Sequence, residues 1–417
     1  MQHPRSKKME NNNVMKGPLS GVKVVELATV VAAPTTSRML CAYGADVIKV
    51  EALWGDELRK VGNGKKVPCE DYKNPMFTLG NSNKRLTAIN IKSEAGREAL
   101  FKLLSEADIF VTNVREQSMK KIGLDYESLK QKYPRLIYAQ LYGFGPLGPA
   151  ANDPGFDSTA FWMRAAPLGD WTEKGSKPFY PTYAFGDVST SSVLLSGILM
   201  ALYARTQTGV GSMVSTSLFA TGIWYNGTGI VSTQFAYKDL NPDYSRPPSP
   251  FDGFYECGDG NWLAIYSNEY TRDREKISKH LHMEDIMQDH RWDSIPNLIE
   301  NDFIVEAAKR VSEVFKTKGA YEWREDLNHD NISCEVMRKT RDVIKDEQAL
   351  ANNYVEEVEF AGGLKVMMPC PPIKFSNFAR KPYENVGRVG ENTDEIFLEL
   401  GYTQEEINEM KGSGAIK

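Results

Sequence analysis

One carboxylate in this 417-residue sequence stands where chemistry could be done. Asp187 follows an aromatic-rich segment (Phe179, Tyr180, Tyr183, Phe185) and Gly186, and directly precedes an apolar stretch expected as a long helix over about 190–205. A carboxylate there can accept hydrogen bonds from free helix amides and gains from the helix dipole, as a plain N-cap does. It can also act as an anionic nucleophile, desolvated by aromatic walls, beside a glycine that lets a substrate approach closely. Position alone leaves both roles open.

Other chemistry-bearing patterns are weaker. GFGPLG (Gly143, Gly145, Gly148) matches the spacing of a dinucleotide-binding turn and follows a strand. That turn must open directly into a helix, which Pro146, Pro149 and the ANDPG segment deny, so a loop is expected. No P-loop and no Gly-x-Ser-x-Gly elbow is present, and none of the five histidines neighbours a serine motif. His280 and His282 are expected on opposite faces of a strand, without a third ligand, and no metal site is expected. Basic residues gather at Lys84, Arg85 and Lys92 and at Lys120 and Lys121. They read either as solvated element ends or as partners for the phosphates of a nucleotide-like ligand. Trp162 and Trp171 read as core.

The elements that must position these groups follow from periodicity. Strands are expected over 22–27, 47–51, 87–91, 109–112, 136–141 and 213–217. Pro34 starts a helix after the first strand, Gly44 ends it, and Ser93 caps another. Strand–helix alternation of this kind implies an α/β fold on a parallel sheet. Loops rich in Pro, Gly and aromatics occupy 146–186, and four prolines (Pro242, Pro247, Pro248, Pro250) mark a crossing into a second lobe. Thr403 with Glu406 forms a capping box for a last short helix. The expected division is a disordered leader over 1–17, a large lobe from 18–235 and 330–417, and a small lobe over 236–329.

Length implies more than one core, and 41% hydrophobic with 25% charged residues suits a globular protein. A net charge of −5 argues against nucleic-acid or acidic-membrane partners. No run of about 18 apolar residues suggests a membrane span, and the polar first residues lack a secretory signal. Five scattered cysteines, never Cys-x-x-Cys, suit free thiols in a reducing cytoplasm.

Ordered blocks from about 18 to 411 carry a resemblance. They are LSGVKVVELATVVAAP, YGADVIKVE with GDELR, NSNKRLTAINIKSEAGR, LLSEADIFVTNVR, IGLDYESLKQKYPRLIYAQLYGFGPLGP, DPGFDSTAF and GDVSTSSVLLSGILMALYARTQTGVG. In these the chain resembles the family III CoA-transferases (CaiB/BaiF type). The resemblance implies a large α/β lobe built from both chain ends, a smaller middle lobe, and a homodimer interlocked like chain links. It places the catalytic aspartate at Asp187, and CoA contacts at Val31, Ala32, Ile89, Asn90, Ile91, Lys92, Asn113, Val114, Arg115 and Lys121. It implies acyl-CoA and a free carboxylic acid as substrates, passing through aspartyl anhydride and aspartyl-CoA thioester intermediates, with no permanently bound cofactor. A family arginine appears here as Ala52, and Lys121 keeps the charge of another without its bidentate fork.

Val31 stands where the formyl-CoA/oxalate branch has glutamine, and that branch's glycine-rich loop is not found near 245–262, which argues against oxalate. DPGFDSTAFWMRAA and NPMF are closest to enzymes for 2-hydroxy acids such as phenyllactate and 2-hydroxyisocaproate in anaerobic fermentation. Those have Gly-Asp-His where this chain has Gly186-Asp187-Val188, and a glycine pair at Ala165 and Ala166. The first rival is an α-methylacyl-CoA racemase, whose second acid/base resembles a histidine at the position of Phe156. Phenylalanine moves no proton. A CoA-binding protein without chemistry is the second rival, and the retained Asp187 speaks against it.

Overall fold

The computed structural model describes residues 17–181, 183–235, 241–244, 246–300 and 302–417; of the expected leader only Gly17 falls within them. The chain divides into two compact units. The larger comprises residues through Pro167, Pro181–Ile230 and Glu347–Lys417, and the smaller Leu168–Tyr180 and Val231–Asp346.

The larger unit is organised by a six-stranded parallel sheet: β1 (Lys23–Leu27), β2 (Asp46–Glu51), β3 (Arg85–Ala88), β4 (Ile109–Thr112), β5 (Ile137–Tyr142) and β6 (Met213–Ser217), in the order β3-β2-β1-β4-β5-β6. Runs such as Ile109–Thr112, buried at every residue, are what a strand covered on both faces requires. Strand order reverses between β1 and β4, and their carboxyl ends open a crevice there. Helix α1 (Ala32–Ala42) links β1 to β2, and α2 (Glu94–Ser105) links β3 to β4. Ser93 caps α2, its Oγ accepting from the Gly96 amide at 3.1 Å. The apolar spacing of α2 delivers Leu100, Leu103 and Leu104 to a core shared with Phe110, Tyr138 and Phe397. The C-terminus returns to the sheet through an antiparallel bridge between Ile89 and Ile416, and the Thr403–Glu406 capping box is formed.

Helix α3 (Phe185–Thr208) runs 24 residues and packs against α1. It starts five residues earlier than the apolar pattern implied, because Gly186 and Asp187 are held in its first turn by tertiary contacts. By length and composition it could cross a membrane, which its interspersed Ser, Thr and Gly concealed. One side is buried through Thr190, Leu194, Leu195 and Ile198.

The smaller unit carries an antiparallel sheet of β7 (Asp252–Glu256), β8 (Trp262–Tyr266) and β9 (Ser333–Val336). Its core includes Phe251, Leu263, Trp292, Phe315 and Trp323. Three segments differ from expectation, residues 231–235 also falling in this unit. Residues 168–180 belong here because Asn241 Nδ2 donates to the carbonyls of Gly169 (2.6 Å) and Thr172 (2.8 Å). Residues 330–346 belong here because β9 pairs with β8. The His280–His282 strand is also corrected: His280 ends the helix Tyr270–His280, with its ring nitrogens 2.9 and 2.8 Å from Asp326 and Asp330. In the larger unit, the hairpin β10 (Val355–Phe360) and β11 (Leu364–Pro369) precedes the final helices.

Candidate active site

Asp187 occupies the third position of α3, not its N-cap. The cap residue is Ala184, at a left-handed φ of +58° and with no side chain to offer the helix. Capping comes instead from a distant segment. Asp157 opens a π-helical stretch, Asp157–Arg164, and its Oδ1 accepts from the Asp187 amide at 2.9 Å. The Gly186 amide bonds the same carboxylate. Gly186 is required by this docking: a Cβ there would lie 2.6 Å from Asp157 Oδ1 and run into the Phe161 ring. Trp162, buried, sits with its ring centroid 5.6 Å from that of Phe185, which forms an aromatic wall beside the helix start.

The electrostatics follow from this arrangement. A carboxylate in the first turn of a helix is normally stabilised by free amides and the dipole. Here Asp157 already occupies the amides of Gly186 and Asp187. Burial first, and the charge of Asp157 second, push the half-buried Asp187 carboxyl up to about 7. Asp157 is itself raised by burial, against the lowering effect of the two amides and the Trp162 indole. A perturbed carboxyl pair of this kind is a functional-site signature.

A cavity of about 600 Å³ opens at the carboxyl ends of β1, β2, β4 and β5. Thr29 and Val30 form one wall and Ala52, Trp54, Gly55 and Glu57 another, with Asn113, Arg115 and Lys120 supplying polar and basic groups. Gly155 and Phe156 line it too, one residue before Asp157. The GFGPLG glycines lead into an irregular loop without a helix, and Gly143 packs backbone-to-backbone on Gly155. Of the expected CoA contacts, Asn113 and Arg115 line this cavity. Val31 packs on Leu58, Phe77 and Leu86, and Ala32 is buried in α1. Ile89 is buried, and Asn90 donates its amide to the Ala415 carbonyl. Ile91, Lys92, Val114 and Lys121 are not among the lining residues. Ala52, the lost arginine position, is in the wall itself. Ala166 takes φ +76°, which a glycine would adopt without strain.

The basic cluster at 84–85 is taken up by carboxylates, Lys84 in the core and Arg85 at a partly exposed edge. Lys84 is fully buried against Glu26 Oε2 at 2.6 Å, and Arg85 pairs with Asp46 and Glu399 at 2.7 Å each. Glu26 also takes Lys49 at 2.7 Å, and Lys49 reaches Asp56 at 2.9 Å, all four side chains buried. Against the cost of burial, Lys49 and Lys84 hold the Glu26 carboxyl down at about 2; burial, opposed by Glu26, pushes Lys84 down to about 8. Asp56 Oδ1 accepts from the Val30 amide at 3.1 Å. Val30 has φ +69°, a conformation whose strain in a β-branched residue is on the order of 1–3 kcal/mol. Asp157 and Asp56 carry no local sequence signal of a site role, though each stands in a block of the family resemblance (DPGFD and GDELR). The available signal for the network was a Glu flanked by valine and leucine in the strand run VKVVEL and a Lys flanked by isoleucine and valine in VIKVE.

Comparison with known proteins gives the family. The family model described as CoA-transferase family III matches residues 19–393. An (R)-2-hydroxy-4-methylpentanoate CoA-transferase of Clostridioides difficile is 38% identical, over 96% of this chain and 99% of the relative. A cinnamoyl-CoA:phenyllactate CoA-transferase of Clostridium sporogenes is 35% identical, over 97% of each. The crystal structure of a CaiB/BaiF family protein from Brucella suis superposes with a TM-score of 0.79 at 28% identity, over 93% of this chain and 100% of that one. The chain belongs to family III of the CoA-transferases and is a CoA-transferase.

Proposed function

We propose that this enzyme moves CoA from an acyl-CoA to a 2-hydroxy acid, or a related medium-sized acid, with Asp187 as the covalent carrier. The observation that carries the reading is the half-buried Asp187 in the first turn of α3, its helix end docked on Asp157. An Asp187 oxygen attacks the thioester carbonyl and the C–S bond breaks, giving a mixed anhydride and CoA thiolate. The thiolate attacks the aspartyl carbonyl, releasing the donor acid and leaving an aspartyl-CoA thioester. The acceptor carboxylate displaces CoA to form a second anhydride. The thiolate then attacks the acceptor's carbonyl and restores the Asp187 carboxylate. One group thus divides a difficult exchange into easier steps. No step calls for a resident cofactor.

The CoA moiety is assigned to the cavity at the strand ends, with Arg115 and Lys120 toward its phosphates and Asn113 on the wall. The other contacts implied by the family resemblance complete the proposal: Val31, Ala32, Ile89, Asn90, Ile91, Lys92, Val114 and Lys121. The 2-hydroxy acid class is supported by the substrates in the two relatives' names. Asp157 bonds the amides of Gly186 and Asp187 and the Trp162 indole, which supports a role in orienting the helix end over one as a racemase base. A homodimer, interlocked as the family resemblance implies, is supported by the exposed apolar side of α3 (Leu199, Met200, Tyr203) and by Trp224 and Tyr225. A cytoplasmic location belongs to the same proposal.

The test is chemical trapping. Incubated with acyl-CoA and hydroxylamine, the enzyme should yield a hydroxamate mapped by mass spectrometry to Asp187; a hydroxamate elsewhere, or none under turnover conditions, sinks the assignment. A second expectation concerns pH. The nucleophile must be ionised, and its carboxyl sits at about 7. Therefore kcat/KM, which reports the free enzyme, should fall as pH drops through about 7. Asp157→Asn keeps an oxygen for the amides but removes the neighbouring charge, so this acid limb should move to lower pH. An unmoved limb in the variant contradicts the coupling.

A further inference from the structure

Two walls of the cavity hang on one buried carboxylate. Asp56 Oδ1 accepts from the Val30 amide at 3.1 Å and from the Leu58 amide at 2.9 Å, and so holds the turn after β1 and caps the 3-10 helix Glu57–Lys65. The Asp56 amide donates to Glu51 Oε1 at 3.0 Å, tying the same residue to the end of β2. Its second oxygen faces Lys49 at 2.9 Å. Lys49 also donates to Glu26 Oε1 at 2.7 Å and to the Ala28 carbonyl at 2.9 Å, just before Thr29 and Val30. Glu26 and Lys49 are direct partners in the β1–β2 register.

The lining residues fall to either side of this centre. Thr29 and Val30 belong to the first wall, and Trp54, Gly55 and Glu57 to the second. Thr29 is further clasped to β4, its amide donating to Asn113 Oδ1 at 3.1 Å and its carbonyl accepting from Asn113 Nδ2 at 2.9 Å. A β-branched residue enters left-handed φ only where its surroundings over-determine it. The hydrogen bond from Val30 to Asp56 is the local agent of that constraint. Four buried charges gathered around the β1–β2 pair (Glu26, Lys49, Asp56 and Lys84) are a costly way to gain stability, and a role in specifying one geometry accounts for them better.

We infer that Asp56, anchored by Lys49 and Glu26, is a positioning residue that preorganises the CoA-binding cavity by locking Val30 in its left-handed turn and the 54–57 loop opposite it. The inference rests on the proposed placement of CoA in this cavity. Preorganised walls let a ligand bind without meeting the ordering cost itself, so loosening them should weaken CoA while leaving the contacts available.

The experiment is titration calorimetry of free CoA into the full-length enzyme, paired with thermal unfolding and with steady-state kinetics in acyl-CoA. Val30→Gly enters φ +69° freely and also leaves it freely. It should bind CoA about tenfold more weakly, equivalent to about 1.4 kcal/mol, with an unchanged or higher Tm. Val30→Ala loses the side chain but keeps the backbone constraint, so it should weaken CoA clearly less than Val30→Gly does. Asp56→Asn keeps one oxygen for the amides but sets an NH2 group against the Lys49 ammonium, so the two walls lose their anchor; it should weaken CoA and raise KM for acyl-CoA more than it lowers kcat. A purely structural role would lower Tm in Asp56→Asn and leave CoA affinity intact. The inference is overturned if Asp56→Asn and Val30→Gly both bind CoA like the parent, or if Val30→Ala weakens binding as much as Val30→Gly. Should Asp56→Asn fail to fold, the two Val30 variants decide alone. If the parent enzyme itself binds no CoA, it is the assignment of CoA to this cavity that fails, a result separable from every variant outcome.

Discussion

Asp187→Ala is expected to cut CoA exchange by about a thousandfold or more, as loss of a covalent nucleophile does, while the protein stays folded and still binds CoA. Stability should be kept because the helix end does not depend on the Asp187 side chain. Asp157 accepts from the backbone amides of Gly186 and Asp187, and those survive the substitution. The variant also relieves the proximity of two buried carboxyls, which is one reason the Asp187 pKa is raised. Transfer from an acyl-CoA to a 2-hydroxy acid, followed by liquid chromatography of the CoA esters, gives the rate; calorimetry gives CoA binding. Asp187→Asn should behave alike, since an amide oxygen is a poor nucleophile. Near-parental exchange in either variant would remove Asp187 from the chemistry.

Lys49→Met is expected to destabilise the fold by about 3–5 kcal/mol, the usual outcome when one partner of a buried ion pair is removed. Methionine fills similar volume, so the loss reports charge more than a void. Lys49 faces two carboxylates, Glu26 at 2.7 Å and Asp56 at 2.9 Å, with no solvent exposure on the lysine side chain. Without it Asp56 keeps only amide donors, and Glu26 keeps Lys84 and Ser37. Lys23→Met is the control. Lys23 pairs with Glu106 at the same 2.7 Å, but its side chain is 53% exposed, and such surface pairs contribute under about 1 kcal/mol. Urea unfolding of the two variants should therefore separate clearly. Equal, small losses would mean that the network carries no weight.

The sheet could be read from the chain because its information is local. Continuous apolar runs such as 109–112 and turn residues such as Gly44 and Ser93 dictate strands and caps wherever they occur, and all six strands of the parallel sheet fall within a few residues of their expected positions. Family membership was equally legible, carried by ordered blocks along nearly the whole length. Asp187 could be named from its surroundings, but its exact setting could not. Its helix begins early because a carboxylate thirty residues upstream docks on the first turn, and no local propensity encodes such a contact.

The same limit explains Lys84, Lys49, Asp56 and Val30. As single letters, a lysine beside an arginine reads as solvated, and a valine reads as strand. Only the parallel pairing of β1 with β2 brings Glu26 beside Lys49, and only that pair makes a buried Asp56 tolerable next to a left-handed valine. Sequence alone thus determined the α/β scaffold, the family and the residue to suspect. Tertiary structure decided the electrostatics, because the energy of a charge depends on what lies within a few ångströms of it and on how much water is left.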